Sequence, residues 1–471
     1  MSTAVVVGSG PNGLAAAVHL ARSGVAVTVL EAAETIGGGA RSTEATLPGL
    51  VHDHCSAMHP LATASPFLRT LDLARHGLRW RTAEVDCAHP FDDAPPALLY
   101  RSIAATARGL GPDGSRWRRL VGPAAADLDR LAPEILRPVL HVPRHPVSLA
   151  RFGIRALTPA AVTATVLRTE RARGLFGGLA AHGFAPTTAL ASGAAGLAIA
   201  AAGHRHGWPV AEGGSGALVA ALVAELRAAG GRIETGRRIR DRRELPPADV
   251  VLLDTAPTAA AEIYGDALPR RIARAMRAWR PGPAAFRVDY AVASGVPWTD
   301  RDLARAGTVH LGGTFAEIAG TLRSTARGVM PERPFVLVGQ QYVADPTRSH
   351  GDAHPLYAYA HVPTGYDGDA TEAVTAQIER FAPGFRERVL AVRTTAPAEL
   401  ERENPALVGG DIVGGATAGL RTLVRPRLAL DPYSLGVPGA YLCSASTPPG
   451  AGTHGMCGFN AAESALRYLA R

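Results

Sequence analysis

No lysine occurs anywhere in the 471 residues; all 49 basic side chains are arginine, against 41 acidic ones, for a net charge of +8. The densest basic run is Arg237–Arg243, the other arginines are scattered, and aromatic residues make up only 6%. A nucleic-acid surface needs a basic stripe interleaved with stacking aromatics, so no nucleic-acid partner is expected and the charge reads as a solvated surface. Cysteine is also scarce. Cys55, Cys87, Cys443 and Cys457 form no C-x-x-C pair, which excludes a disulfide-stapled scaffold and fits reduced thiols in the cytoplasm. Long apolar runs are missing as well. The longest uncharged stretch, Ala189–Gly203, is too short for a bilayer and reads as a buried helix. Its flanking Arg171, Arg173, His204 and Arg205 leave a peripheral membrane contact as the alternative. The N-terminus has no arginine-rich start before its apolar run, so no signal peptide is expected.

What is present points to an ordered protein: 47% of residues are hydrophobic and 19% charged. Single cores stop growing near roughly 250–300 residues, so two or more domains are expected. Ala4–Gly8 reads as a short buried parallel strand, Gly13–Ser23 as a helix stopped by Gly24, and Val25–Leu30 as a second buried strand ended by Glu31. That is a βαβ unit. Residues 80–205 abandon the pattern. It resumes with a helix over Gly216–Ala229 and strands at Arg232–Thr235 and Asp249–Asp254. Strands are expected at Phe335–Val343 and Leu356–His361, a helix at Thr371–Phe381, and a strand (Ala440–Cys443), glycine loop and helix (Gly458–Ala470) at the end.

Gly8-Ser9-Gly10-Pro11-Asn12-Gly13 is a G-x-G-x-x-G placed between a strand and a helix, with Glu31 closing the next strand. In that context it is a dinucleotide fingerprint. Gly8 permits the tight turn, Gly10 lets a pyrophosphate approach the backbone, and Gly13 lets helix and strand pack closely. Glu31 accepts hydrogen bonds from a ribose and disfavours a 2′-phosphate. Two further segments favour FAD over NAD. Gly37-Gly38-Gly39-Ala40-Arg41 suits a long cofactor lying extended across the domain, with Arg41 offered to its phosphates. Tyr441–Glu463 leads a strand through a dense glycine loop into a helix whose N-terminus suits an anionic ring edge.

On these blocks the chain resembles the phytoene-desaturase-like family of FAD-dependent oxidoreductases, within the glutathione-reductase-type flavoproteins. A weaker block, Trp208–Ser215, lies in the family's order. The chain departs from the family pattern at Ser444, where glycine is common, and at Pro448–Gly452, where His-Pro-Gly-Gly-Gly is frequent. The resemblance implies an α/β fold: a Rossmann-like FAD-binding domain assembled from residues 1–85, 206–285 and 401–471, with an inserted α+β substrate domain from 86–205 and 286–400. It implies FAD contacts at Gly8, Gly10, Gly13, Glu31, Gly38 and Arg41, at Ile239 near the adenine, and at Ala445, Gly455, Met456 and Asn460 near the flavin ring. Ser9, Pro11, Asn12, Gly39 and Ala40 share the same loops.

Flavin chemistry asks little of the protein beyond orientation and a proton path. His454, inside the flavin-side loop, and His182, in the inserted domain, are the candidate catalytic histidines. His52-Asp53-His54-Cys55 has no second ligand cluster, so no metal is expected. The expected activity is dehydrogenation, desaturation or oxidation of a fairly apolar small molecule, with an external electron acceptor. A redox-neutral flavin isomerase, an amine oxidase and a non-catalytic flavin-binding protein are the alternatives. The amine oxidase ranks lower because its flavin should be flanked by aromatics, and the C-terminal block has only Tyr441 and Phe459.

Overall fold

The computed structural model describes residues 1–471, the side chain of Leu420 excepted. Two large sheets interleave along the chain, beside two small two-stranded ones (Ser42–Glu44 with Val51–Asp53, and Trp80–Arg81 with Val210–Ala211). The strands of the two large sheets are β1 (Thr3–Val7), β2 (Ala26–Leu30), β3 (Val85–His89), β4 (Ala97–Leu99), β5 (Arg232–Glu234), β6 (Val250–Leu253), β7 (Ala284–Ala293), β8 (Ala306–Leu311), β9 (Val336–Gly339), β10 (Ala353–Val362), β11 (Val389–Thr395) and β12 (Ala440–Leu442). One sheet is five-stranded and wholly parallel, in the order β12-β6-β1-β2-β5. The other is seven-stranded and mixed, in the order β11-β7-β10-β9-β8-β3-β4; only β8 and β3 run parallel. The fold is therefore α/β, with a Rossmann-like sheet built from distant segments and a separate mixed sheet.

The parallel sheet forms where short β-branched runs can be buried on both faces. Val5, Val6 and Val7 of β1 and Leu252 and Leu253 of β6 are all buried. Helix α1 (Pro11–Arg22) returns the chain from β1 to β2; proline takes its first position, where no N–H is needed. The C-terminal helix crosses α1 closely, because Gly458 has no side chain: a Cβ there would sit 1.8 Å from the Asn12 carbonyl oxygen.

The inserted region adds helices to the mixed sheet's side of the molecule, where Glu170–Ala181 packs on Val85–His89 and Ala97–Leu99. They include α2 (Pro146–Ala156), α3 (Glu170–Ala181) and α4 (Gly193–His206), with α5 (Gly216–Ala228) back on the parallel sheet and α6 (Met456–Leu469) at the end. Helix α4 holds most of the uncharged stretch in which a membrane segment was the alternative. Leu197 and Ala200–Gly203 are buried, and a Cβ on Gly196 would meet the Ala180 nitrogen of α3 at 2.9 Å. Small residues there serve a close helix crossing. Among the described residues no helix is long and apolar enough to cross a membrane.

The Phe335–Val343 expectation overshot. β9 stops at Gly339 because the Gln340 side chain turns inward to the carbonyls of Leu303 (2.8 Å) and Ala306 (2.9 Å), and a short helix follows at Gln341–Ala344. Helix α6 starts two residues before the expected Gly458.

Candidate functional site

The fingerprint loop is built as its residue types require. Gly8 sits at φ +102°, and its N–H donates to the Leu30 carbonyl at 2.8 Å, tying β1 to β2. A Cβ on Gly13 would lie 2.2 Å from the Gly8 oxygen, so helix and strand could not close. Glu31 is held in place: its Oε2 accepts from the Ser9 N–H (2.9 Å) and hydroxyl (2.5 Å), its Oε1 from the Ala33 N–H (2.9 Å). Asn12 Oδ1 is buried without a hydrogen-bond partner among the described residues. The N–H groups of Gly10 and Asn12 likewise find no acceptor in the described network. Free donors at a helix N-terminus suit phosphate oxygens, so this cradle fits a dinucleotide.

The second glycine turn touches the first. A Cβ on Gly38 would lie 3.1 Å from Gly10 Cα, and one on Gly39 3.3 Å from Cys55 Cβ. Arg41 lines the same cavity, but its guanidinium already donates to Gly38 O (2.9 Å), Thr35 Oγ1 (3.1 Å) and Glu403 O (2.8 Å). It braces the turn as well as lining it. Ile239, flanked by Arg237, Arg238 and Arg240, lines the cavity at one end.

Asp254, one residue past β6, was not singled out from the sequence. Its Oδ2 accepts the Gly13 N–H at 2.8 Å, and a Cβ on Gly10 would meet it at 2.7 Å. Burial pushes its carboxyl up to about 7; the Gly13 N–H opposes this and the Glu31 charge adds to it. The available signal was an acidic residue ending a strand adjacent to the fingerprint strand.

Ser444, Ala445, Ser446, Pro448, Pro449 and Ala451–His454 line the same cavity. The structure does not bring Gly455, Met456 or Asn460 to its wall. Gly455 forms the left-handed N-cap of α6 (φ +68°), Met456 is buried against α1, and Asn460 Nδ2 donates to the Leu136 carbonyl (3.1 Å). The first turn of α6 packs on the protein instead. Gly13 likewise lies behind the wall. His454 is fully buried: its Nδ1 accepts the Met456 N–H at 3.0 Å, and its carbonyl accepts from Ser65 Oγ at 2.7 Å. Burial lowers its pKa to about 4, against the pull of the Ala451 and Gly450 carbonyls. It is a neutral brace of the loop. Cys443 and Cys457 are buried free thiols, and Cys457 Sγ donates to the carbonyls of Thr447 and Gly450.

His182, the C-cap of α3, also lines the cavity. Its Nε2 lies 3.0 Å from His310 Nε2, and His310 Nδ1 lies 3.4 Å from Cys87 Sγ. Burial lowers His182 to about 4, and drives His310 well below the ordinary histidine value with help from His182, His89 and His361. The chain of groups is therefore neutral. Phe184, at φ +51°, stacks on His361 with centroids 3.8 Å apart. Tyr357 and Tyr359 of β10 complete this part of the wall, and Tyr357 OH donates to the Cys55 carbonyl at 3.0 Å. They were missed although the Leu-Tyr-Ala-Tyr-Ala-His alternation of β10 puts both tyrosines on one face.

One cavity of about 1100 Å³ is lined by the glycine turns, the Ser444–His454 loop, His182, Phe184 and the two tyrosines, while His310, Cys87 and His361 stand behind that wall. The His52–Cys55 cluster does not converge. His52 faces Asp289 (3.5 Å), Asp53 binds Arg348 (2.5 Å) and His54 faces Glu403 (3.2 Å). Among the described residues no group of three or more His, Cys, Asp or Glu could hold a metal.

Residues 6–73 match the profile of the NAD(P)-binding Rossmann-like domain family. Over its whole length the chain is similar to rat (Rattus norvegicus) pyridine nucleotide-disulfide oxidoreductase domain-containing protein 2: 25% identity, covering 99% of this chain and 93% of the relative. Among solved structures it shares its fold with an oxidoreductase from Methanosarcina mazei (TM-score 0.63, 15% identity, 99% of this chain and 100% of the other). It also shares it with a putrescine oxidase bound to putrescine (TM-score 0.64, 17% identity, 100% and 99%).

Proposed function

We propose that this chain is an FAD-dependent oxidoreductase that oxidises, dehydrogenates or desaturates a fairly apolar small molecule, as the phytoene-desaturase-like resemblance implies. The observation that carries the reading is the continuity of the cavity: a dinucleotide cradle at one end and an aromatic chamber at the other. Bound FAD supplies a hydride acceptor, and an external acceptor later takes the electrons. The protein's own part is placement. Gly8–Asn12, Glu31, Gly38–Arg41 and Ile239 hold the cofactor, and the His454-braced loop shapes its reactive side. Phe184, Leu337, Tyr357 and Tyr359 exclude water from the chamber. His182 offers a neutral ring nitrogen there, the one not engaged by His310, to a polar atom of the substrate.

Amine oxidation is the second reading, and the Tyr357/Tyr359 wall favours it by supplying the flanking aromatics that the C-terminal block lacks. Anaerobic addition of candidate substrates with the flavin absorbance followed separates the two. Bleaching by apolar hydrocarbons or alcohols supports the first, and bleaching by amines alone supports the second. No bleaching by any class, in protein that holds flavin, counts against both.

A further inference from the structure

Helix α2 has two apolar faces. Leu149, Phe152, Gly153 and Ala156 line the cavity. Three to four residues apart on the opposite side stand Val147, Ala150, Arg151 and Ile154, with Val147 61% and Ile154 75% exposed. The loop before the helix exposes Val139, Leu140 and Val142, the last by 90%. Val139 and Leu157 are both exposed and cavity-lining, so they mark its rim. Among the described residues, nine of the sixteen exposed large apolar side chains fall between Val139 and Leu190. Exposed apolar groups are normally scattered, so this concentration marks a contact surface.

The charge of the segment that carries the patch has one sign. Between Glu134 and Glu170 there is no acidic residue, but there are five arginines, at 137, 144, 151, 155 and 168. Glu134 itself is turned inward. It accepts from the N–H groups of Arg144 and His145 and pairs with His141 at 2.8 Å, which pins the loop carrying Val139–Val142. A second copy seated on this face would set arginine against arginine.

We propose that this face docks on a lipid bilayer bearing anionic headgroups, with Val142, Val147 and Ile154 in the acyl boundary, the arginines at phosphate level and the cavity rim turned to the lipid. A short amphipathic helix with basic residues beside its apolar face binds interfaces in this way, and long arginine stems reach back to the headgroups. An apolar substrate would then enter from the membrane. Docking itself requires no flavin, so its failure would leave the redox reading standing.

The test is cosedimentation of the 471-residue chain with phosphatidylcholine vesicles, with and without about one third phosphatidylglycerol. Binding is expected to be about tenfold or more stronger on the anionic vesicles and to weaken in high salt. The double variant Val147→Glu/Ile154→Glu should lose about tenfold or more. Arg144→Glu/Arg151→Glu should lose the preference for anionic lipid. Both variants lie on exposed positions, and unchanged circular dichroism and bound flavin establish that they fold. Absence of vesicle binding, or binding indifferent to Val147→Glu/Ile154→Glu, overturns the proposal. So does a dimer in sedimentation equilibrium that this double variant dissociates, since a second copy would then cover the face.

Discussion

Asp254 Oδ2 lies 2.8 Å from the Gly13 backbone nitrogen, so a buried carboxyl underpins the glycine fingerprint loop. Its carboxyl is pushed up to about 7 by burial and by Glu31. In the unfolded chain it ionises in the ordinary carboxylate range, so the unfolded state gives up its proton first as pH rises. The stability contributed by the protonated group is present at low pH and lost as pH climbs toward 7. Asp254→Asn should therefore raise the melting temperature at about pH 8, by the equivalent of roughly 2–4 kcal/mol at most, with little gain at about pH 4. FAD affinity of the native chain should fall from about pH 6 to pH 8, and that of Asp254→Asn should not. Melting curves and flavin titrations at both pH values check this; parallel pH profiles for the two proteins would contradict it.

Gly13→Ala places a methyl group 2.2 Å from the Gly8 oxygen. Relaxation must open the β1–α1 turn, at about 1–3 kcal/mol or more, and displace the cradle. The expected result is a chain of lower stability that retains much less flavin. Gly24→Ala is the comparison: it has open space around its Cβ but sits at φ +84°, so it should lose stability and keep its flavin. Flavin-to-protein absorbance ratios read the difference.

The two candidate histidines should fail differently. His454→Ala removes the acceptor for the Met456 N–H and should loosen flavin retention. His182→Ala should leave the flavin spectrum intact and slow substrate bleaching. Burial holds His182 near 4, so it stays neutral across about pH 5–8 and adds no limb to the bleaching profile there. A limb near the ordinary histidine value that disappears in His182→Gln would falsify this assignment.

Arg348 has a wholly buried side chain that joins Asp53 (2.5 Å), Asp345 (3.1 Å) and the Ala211 carbonyl (2.8 Å). Burial alone would raise Asp53, yet Arg348, the Ser215 N–H and Ser42 hold it below the usual carboxylate range. Arg348→Met leaves two buried acids uncompensated and should lower unfolding free energy in urea by about 3–5 kcal/mol. Asp53→Asn added to it should recover part of the loss. Additive losses would argue against the pairing.

The βαβ unit and the fingerprint were legible because their determinants are local: a glycine turn, a β-branched run and a helix that needs no N–H at Pro11. The Thr371–Phe381 helix appears with the expected bounds for the same reason. What depends on distant partners was not legible. β9 ends early because Gln340 finds carbonyls more than 30 residues upstream in sequence. Tyr357 and Tyr359 could be assigned to one face of a strand, but only the packing of the mixed sheet places that face at the cavity. The role of His454 lies between these cases. Its bond to the N–H two residues on is local, whereas its burial comes from the contact of the loop with Ser65.

Whether the chain holds FAD is read most directly from the visible absorption spectrum of the purified protein before and after acid precipitation. Flavin bands are expected, with the chromophore released as FAD into the supernatant. A colourless protein that also fails to take up added FAD would contradict FAD binding.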